Sequence, residues 1–171
     1  CSYENLLLAA HRAESGKRYR GSTLAFNRFR EEELLSLKEE LSERTYRPAP
    51  YAHFTIYEPK ERLISAPEYR DRVVHHALCN VIEPLLDRSF IYDTYACRVG
   101  KGTHRALDRC QHFLRGHAFV LKCDIWKYFP SVDHNLLLDL VSRKIADEDV
   151  LRLIRLLLDH SDAPPGPTAY F

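Results

Sequence analysis

The sequence predicts an α+β fold in which helices outnumber strands. Apolar residues recur at helical spacing through most of the 171 residues. Strand character is confined to two short runs on either side of Glu58-Pro59-Lys60-Glu61 and to HAFVLKCDI at 117–125. The resulting order is helices, hairpin, helices, strand, helices. That order argues against the alternating β-α units of a doubly wound nucleotide-binding fold.

The first half of the chain is predicted to hold two helices and a hairpin. Residues 3–15 and 31–44 have helical spacing, and the basic stretch KRYRGSTLAFNRFR between them is interpreted as a linker that contains aromatics. From residue 51, YAHFTIYEPKERLISAP predicts a β-hairpin with its tip in solvent. Pro67 is expected to end it.

The second half is predicted to be helical around a single strand. EYRDRVVHHALCNVIEPLLDRSF carries an apolar stripe that is typical of a helix packed on a core. Gly116 separates the next helix from the strand HAFVLKCDI, and the last helix opens with Asp147, Glu148 and Asp149, acids that favour a helix N-terminus. After the packed helix, further helices are predicted at about 103–114, 134–145 and 148–159.

Length and composition indicate a globular chain of one domain, or one domain and part of another. Hydrophobic residues make up 45% of the sequence, which is enough for a core. With 25 basic and 24 acidic residues, the formal net charge of +1 does not by itself indicate a nucleic-acid partner. Only local clusters of charge can therefore indicate a nucleic-acid partner.

Cysteine spacing, the length of the apolar runs and the chain ends predict where the protein is located and whether the chain is a fragment. The five cysteines form no C-x-x-C pair, so reduced intracellular thiols are expected and no zinc site is proposed. The apolar runs are shorter than the roughly 20 residues of a membrane helix, and a cytoplasmic protein is expected. Because the chain starts on Cys1, contains no Met and stops in SDAPPGPTAYF, it is expected to be a fragment.

The hairpin tip is the first candidate functional site in the sequence. Lys60 and Arg62 stand two residues apart, so on a strand edge their side chains would point the same way and grip one polyanion. Ordinary surface charges on a solvated hairpin explain the same spacing. The pair alone therefore leaves both interpretations open.

The second place is TYACRVGKGTHRALDR at 94–109. Arg98, Lys101, Arg105 and Arg109 lie around Gly100 and Gly102, just before a predicted helix. Glycines let a backbone approach a phosphate, and a helix N-terminus favours an anion, so the stretch suits a nucleic-acid backbone. The spacing is not that of a nucleotide P-loop, and a solvated basic loop is the alternative.

The third place is LKCDIWKYFPSVDH at 121–134, where a predicted buried strand ends on Asp124. A buried acid needs a positive partner, and Mg²⁺ takes carboxylate oxygens. An aspartate that caps a turn, or that pairs with Lys122 or Lys127, explains the same residue. Asp124 alone would be a single ligand.

Residues 54–134 resemble the N-terminal half of a bacterial reverse transcriptase of the retroelement class, which includes group II intron-like enzymes. Three stretches carry the resemblance by their order and spacing: YEPKERLISAPEYRDRVVHHAL, IEPLLDRSFIYDTYACRVGKGTHRAL and LKCDIWKYFPSVDHNLLL. The resemblance implies a right-hand polymerase. Residues 1–50 would be an N-terminal helical extension, 51–115 the fingers, and 116–171 the beginning of the palm.

The resemblance also implies a role for particular residues. Asp124 is similar to the first metal-binding, catalytic aspartate of the polymerase site, with the carbonyl of Ile125 as a further ligand for one of two Mg²⁺ ions. Phe129 matches the steric gate that excludes a ribose hydroxyl. Lys60 and Arg62 match basic fingers positions for the incoming deoxynucleoside triphosphate. The motif that helps to hold template and fingers in place corresponds to Arg98, Gly100, Lys101 and Gly102, and Arg105 of the same basic cluster is also predicted to bind nucleic acid.

The implied activity is RNA-directed DNA synthesis on an RNA template from a DNA primer. The family completes its metal site with a Tyr-X-Asp-Asp motif, and no Asp-Asp pair occurs in these 171 residues. The chain alone is therefore expected to be inactive and, with an unfinished palm, to self-associate. The alternative is a non-catalytic RNA-binding or protein-interaction module derived from a polymerase fingers domain.

Overall fold

The computed structural model describes residues 2–57, 61–126 and 128–161, apart from the side chains of Arg62, Phe129 and Pro130. This part of the chain is mixed α+β, mostly helical, with one small sheet. No helix in this part of the chain has both the length and the hydrophobicity of a membrane-spanning segment. The elements, in chain order, are α1 Tyr3–Glu14, α2 Gly21–Arg28, α3 Arg30–Ser42, β1 Ala52–Ile56, β2 Arg62–Ala66, α4 Tyr69–Asp87, α5 Thr103–Leu114, α6 Tyr128–Ser131, α7 His134–Ser142 and α8 Glu148–His160.

The chain forms two compact units that divide within α4. The described residues of the first unit are 2–57, 61–83 and 147–161, and those of the second are 84–126 and 128–146. The division falls at Pro84, which lies inside the helix and cannot donate a hydrogen bond to the carbonyl four residues earlier. The predicted boundaries at 50 and 115 remain a prediction.

Short polar side chains cap the N-termini of several helices. Ser2 Oγ accepts a hydrogen bond from the amide of Asn5 at the start of α1. Asp133 and Asp147 each accept two amide hydrogen bonds at the starts of α7 and α8, over 2.8 to 3.0 Å. These bonds satisfy N–H groups that have no partner within the helix. The prediction that α8 opens with acids is confirmed.

The hydrophobic core described here belongs to the first unit. One face of α1 buries Leu6, Ala9, Ala10 and Ala13 at helical spacing, and small alanines let neighbouring helices approach closely. Leucines from α8 pack against the same core although they lie far along the chain. The other buried members are Phe26, Leu34, Leu37, Tyr46, Tyr69, Val73, Val74 and Ala77.

Two charged side chains join the helices of this unit around the core. The buried carboxylate of Glu14 on α1 accepts hydrogen bonds from Asn27 and Arg30, over 3.0 and 2.9 Å. Burial acts to raise the pKa of Glu14, but these bonds and the nearby positive charge hold the pKa below its ordinary value. On α4, Arg70 donates to Glu33, Ser36 and Glu40 of α3. Glu14 and Arg70 are thus each paired with side chains of opposite charge where the helices meet.

The hairpin that the sequence predicts is present and antiparallel. Its register pairs Ala52 with Ala66 and Ile56 with Arg62. Two strands alone are marginally stable, so the hairpin depends on how its base is held. The residues before β1 and the first turn of α4 supply that support.

One carboxylate closes the base of the hairpin. Asp71, buried in the first turn of α4, accepts a 2.6 Å hydrogen bond from the Tyr46 hydroxyl and a 2.9 Å bond from the Ala49 amide. Tyr46 and Ala49 precede β1, whereas Asp71 follows β2, so the carboxylate ties together the two ends of the hairpin. Burial raises the pKa of Tyr46, and the bond to Asp71 raises that pKa further, which keeps the phenol a donor.

The last described helix holds the same segment from its other side. His160 Nε2 donates to the Ala49 carbonyl over 2.9 Å, and its ring stacks on Tyr51 with 5.4 Å between centroids. Both polar groups of the Ala49 backbone are therefore held by side chains, the amide by α4 and the carbonyl by α8. Strand β1 begins three residues after Ala49, at Ala52.

Two expectations about local structure are wrong. The basic stretch between the first helices is not only a linker, because it contains α2, which buries Thr23 and Phe26 three residues apart on one face. The stretch 117–125 is not a strand, and its side chains are exposed. A strand needs a neighbour to pair its backbone groups, and within the described residues this stretch has none. The other predicted helices are confirmed to within a few residues.

We expect Tyr46→Phe to lower the free energy of unfolding by about 1–3 kcal/mol, because Asp71 keeps its burial and loses a donor. Tyr19→Phe is the matched control, since Tyr19 is 88% exposed and should change little. Urea denaturation followed by circular dichroism measures both. Equal stability of the two variants would contradict the role assigned to Asp71.

The same bond has a pH signature. Because folding raises the pKa of Tyr46 above that of an exposed tyrosine, its contribution is fully present below about pH 10 and is lost as pH rises through the folded-state pKa. As pH rises above about 10, the free energy of unfolding should therefore fall less in Tyr46→Phe than in the unaltered chain.

Candidate functional site

The loop before α5 is folded around Arg98, in the second unit. The Arg98 guanidinium pairs with Asp87 at the end of α4 and lies over the Phe90 ring, 5.7 Å from its centroid. It also donates to the carbonyls of Ile91 and Thr94 over 3.1 and 3.2 Å. The bond from Arg98 holds the pKa of Asp87 below its ordinary value. Arg98 therefore organises the loop internally.

Lys101 is also engaged within the loop. Its ammonium donates to the Tyr92 carbonyl over 2.6 Å and lies 3.6 Å from the centroid of the Tyr92 ring and 4.9 Å from that of Tyr95. A cation between two tyrosine rings gains cation–π attraction. The charge predicted to meet a phosphate is thus directed at aromatic rings.

Arg109 joins the loop to the second half of α5. It pairs with Asp93 over 2.9 Å and lies 4.4 Å from the centroid of Phe113. The hydrogen bond from Arg109, followed by one from the Tyr95 hydroxyl, lowers the pKa of Asp93. Asp93 therefore stays ionised as the acceptor for this part of the loop.

The two glycines of the predicted motif have the backbone that only glycine adopts readily. Gly100 and Gly102 have φ of +72° and +101°. The Gly102 amide donates to the Tyr95 carbonyl and the Lys101 amide to the Arg98 carbonyl, both over 3.1 Å. The glycines close a tight loop at the N-terminus of α5.

Arg105 is the exposed basic side chain among the five predicted nucleic-acid-binding residues. It is exposed on the first turn of α5, and its guanidinium lies near Gly100. Arg105 and Lys101 line an open depression of about 490 Å³ together with Tyr92, Tyr95 and Asp108. The structure thus brings all five predicted nucleic-acid-binding residues into one loop and one helix turn, and Arg105 presents its charge outwards. Contact with nucleic acid remains a prediction.

Asp124 lies in an exposed, irregular stretch of the second unit and not at the end of a buried strand. Ile125 beside it is 63% exposed. Within residues 2–57, 61–126 and 128–161, no group of three or more His, Cys, Asp and Glu side chains is placed to hold a metal ion. The carboxylate and the neighbouring carbonyl are oxygen donors of the kind Mg²⁺ takes, but the described residues do not complete a metal site.

The remaining predicted residues are only partly visible. Lys60 lies outside the described residues, as do the side chains of Arg62 and Phe129. The backbone places Arg62 at the first position of β2, opposite Ile56. Phe129 lies within α6.

Sequence reasoning missed the residues that organise the loop. Asp87, Asp93, Tyr92 and Tyr95 supply the acceptors and rings that engage Arg98, Lys101 and Arg109. The available signal was the alternation of tyrosines and acids with basic residues over 87–109. Such alternation indicates internal pairing as readily as a binding surface.

Similarity to known proteins is distant and partial. No known protein-family model matches the sequence. The chain is 31% identical over 132 residues to protein YkfC of Escherichia coli (strain K12), a match that covers 71% of this chain and 34% of that protein. It is 26% identical over 129 residues to the group II intron-encoded protein LtrA of Lactococcus lactis subsp. cremoris, covering 74% of this chain and 22% of that protein.

A plant protein shows the same relationship. Nuclear intron maturase 1, mitochondrial, of Arabidopsis thaliana is 27% identical over 96 residues, covering 56% of this chain and 14% of that protein. The chain therefore spans about a third or less of the length of the curated relatives it matches. These similarities relate it to intron-encoded, reverse-transcriptase-like proteins of retroelements, without a specific class among them.

We expect Arg98→Gln to speed amide exchange at Lys101 and Gly102 by about tenfold, because the variant loses a charge-assisted hydrogen bond worth about 1.5 kcal/mol or more. Arg105→Gln should leave these amides unchanged, since the guanidinium of Arg105 faces solvent. Hydrogen exchange measured by NMR separates the two. Equal effects of the two variants would contradict the division between a structural and an outward-facing arginine.

Proposed function

We propose that this chain is part of an RNA-directed DNA polymerase of the retroelement type, with right-hand fingers and the beginning of the palm. The observation that carries the proposal is the distant similarity over 129 residues to a group II intron-encoded protein. The ordered presence of the three quoted sequence stretches supports it further. The proposed partners are an RNA template, a DNA primer and deoxynucleoside triphosphates.

The proposed reaction is nucleotidyl transfer. The primer 3′ oxygen forms a bond to the α-phosphorus of a deoxynucleotide, the bond to the leaving pyrophosphate breaks, and the hydroxyl proton passes to solvent. Lys60 and Arg62 would neutralise the triphosphate, as point charges and forked guanidinium donors do. The Phe129 ring would contact the sugar and exclude a ribose 2′-hydroxyl.

The proposed cofactor is Mg²⁺, with two ions in the complete enzyme. Bound there, it would neutralise phosphate charge. This chain would contribute the Asp124 carboxylate and the Ile125 carbonyl, and further carboxylates would have to come from residues beyond those described. No Asp-Asp pair occurs in the sequence, so the 171 residues alone should not polymerise.

Primer extension tests the proposal. The protein encoded by the complete coding sequence in which these residues occur should extend a DNA primer on an RNA template with Mg²⁺ and deoxynucleotides. The 171-residue chain alone should not. Asp124→Asn should slow extension by about 10³-fold, equivalent to the several kcal/mol that a metal ion contributes. Asp133→Asn is the matched control, because Asp133 caps α7 through its side-chain oxygen, which asparagine retains.

Two outcomes would contradict the proposal. One is the absence of extension by the complete product, and the other is full activity of Asp124→Asn. Phe129→Ala adds a check on substrate choice, since removal of the ring should increase ribonucleotide incorporation while deoxynucleotide incorporation continues.

The second candidate is a non-catalytic RNA-binding module. The observation that favours it is the absence, within the described residues, of a carboxylate cluster around Asp124. In that case Asp124→Ala should leave the affinity for RNA unchanged. Arg105→Gln should reduce the salt dependence of RNA binding by about one phosphate contact under either candidate. Primer extension therefore distinguishes them.

A further inference from the structure

Four basic side chains of the first unit form a group that we call the α1–α4 basic cluster. Arg12 lies in the last turn of α1, Lys17 follows that helix, and Arg72 and His76 lie on α4. Within the described part of the chain, no ion pair joins any of the four to an acid. Arg70, two residues before Arg72, is by contrast paired with two carboxylates.

Helix geometry and hydrogen bonds place members of the cluster on one face. Arg72, His76 and Asn80 follow one another at intervals of four residues, so they lie along one stripe of α4. Arg12 donates a hydrogen bond to the Asn80 side chain, and Asn80 donates one to Asn5 of α1 over 2.8 Å. These bonds hold the guanidinium of Arg12 at the end of the stripe.

Arg72 has hydrogen-bonding capacity that the fold leaves unused. Its guanidinium lies over the Tyr69 ring, 5.2 Å from the centroid. Its Nε is buried and has no hydrogen-bond partner among the residues that the structure describes. A guanidinium only donates hydrogen bonds, so its natural partner is an anion. The ring contact holds the planar group in one orientation, which lowers the entropic cost of binding such a partner.

The charges of the cluster act on one another. Burial lowers the pKa of His76, and the positive charges of Arg12, Lys17 and Arg72 lower that pKa further. Like charges that are gathered without a counter-charge repel each other, and a bound anion would relieve that repulsion. The cluster is therefore suited to an anionic ligand.

The loop after α1 indicates which kind of anion fits. Lys17 is followed by Arg18, Tyr19 and Arg20, and the Tyr19 side chain is 88% exposed. With Gly16, these residues line an open depression of about 340 Å³. Proteins hold single-stranded nucleic acids by backbone charges together with aromatic rings on which bases stack. An exposed ring between basic side chains favours a nucleic-acid strand over an isolated phosphate.

We propose that the α1–α4 basic cluster binds the phosphate backbone of single-stranded RNA, with Tyr19 as the ring on which a base stacks. The choice of RNA as the source of the phosphates rests on the proposed function, whereas the preference for an anion follows from the unpaired charges. The cluster belongs to the first unit and the loop before α5 to the second, so this is a further site.

Binding of a fluorescent oligouridylate to the 171-residue chain, measured by anisotropy over a range of salt concentrations, tests the proposal. Arg12→Gln and Lys17→Gln should each raise the dissociation constant by about fivefold and reduce the salt slope by about 0.7, the value for one phosphate contact on a single strand. Tyr19→Ala should raise the constant by about tenfold with an unchanged slope, because it removes stacking and no charge.

Two variants serve as matched controls. Lys38→Gln makes the same charge change at an exposed position of α3 in the same unit and should leave both the affinity and the slope unchanged. Tyr19→Phe keeps the aromatic ring and should bind RNA as the unaltered chain does.

NMR of the His76 ring locates the contact. RNA should raise the pKa of His76, because phosphates offset the positive charges that lower it. The same rise should occur in Arg105→Gln, whose substitution lies in the second unit. Inorganic phosphate at the same concentration of phosphate groups should give a much smaller rise, since it offers neither adjacent phosphates nor a base.

Three results would overturn the proposal. The first is an RNA affinity, or an absence of binding, that Arg12→Gln and Lys17→Gln leave unchanged. The second is a pKa of His76 that does not respond to RNA. The third is an equal response to inorganic phosphate, which would assign the cluster to the free anion. Because binding is measured without Mg²⁺ or deoxynucleotides, a failure of primer extension would contradict the proposed polymerase and not this site.

Discussion

The structure of the first unit depends on the fixed backbone of Ala49. Asp71 on α4 accepts a hydrogen bond from the Ala49 amide, and His160 on α8 donates one to the Ala49 carbonyl. The Tyr46 hydroxyl donates a second hydrogen bond to the Asp71 carboxylate. A buried carboxylate with two donors is stable where an unpaired one would be costly. Segments far apart in sequence are thereby brought to the base of one hairpin, which is formed by β1 and β2.

The basic residues of the second unit separate into two groups by what they contact. Arg98, Lys101 and Arg109 neutralise nearby acids or lie over tyrosine and phenylalanine rings, so they fold the loop that precedes α5. Arg105 presents its charge to solvent. A nucleic acid approaching this loop would meet a preformed backbone with one outward arginine, and preorganisation of that kind lowers the entropic cost of binding.

Local sequence signals predicted the elements that depend on local interactions. Helix α5 matches its expected bounds at 103–114, and Asp147 caps α8 as its position suggested, because both follow from contacts within a few residues. The strand expected at 117–125 depended on a partner strand, which no local pattern supplies. The buried role of Asp71 and the ring contacts of Lys101 were equally invisible, because each is made with residues that periodicity does not identify.

Hydrogen exchange at the Ala49 amide is the most direct test of whether Asp71 closes the base of the hairpin, since that amide lies in no helix or strand and donates to the Asp71 carboxylate. Exchange at this amide is expected to be as slow as that of the α4 amides around Val73 and Val74, and in Asp71→Ala this protection should be lost together with that of the hairpin amides. Exchange at the rate of an exposed loop in the unaltered chain would show that Asp71 does not close the base of the hairpin.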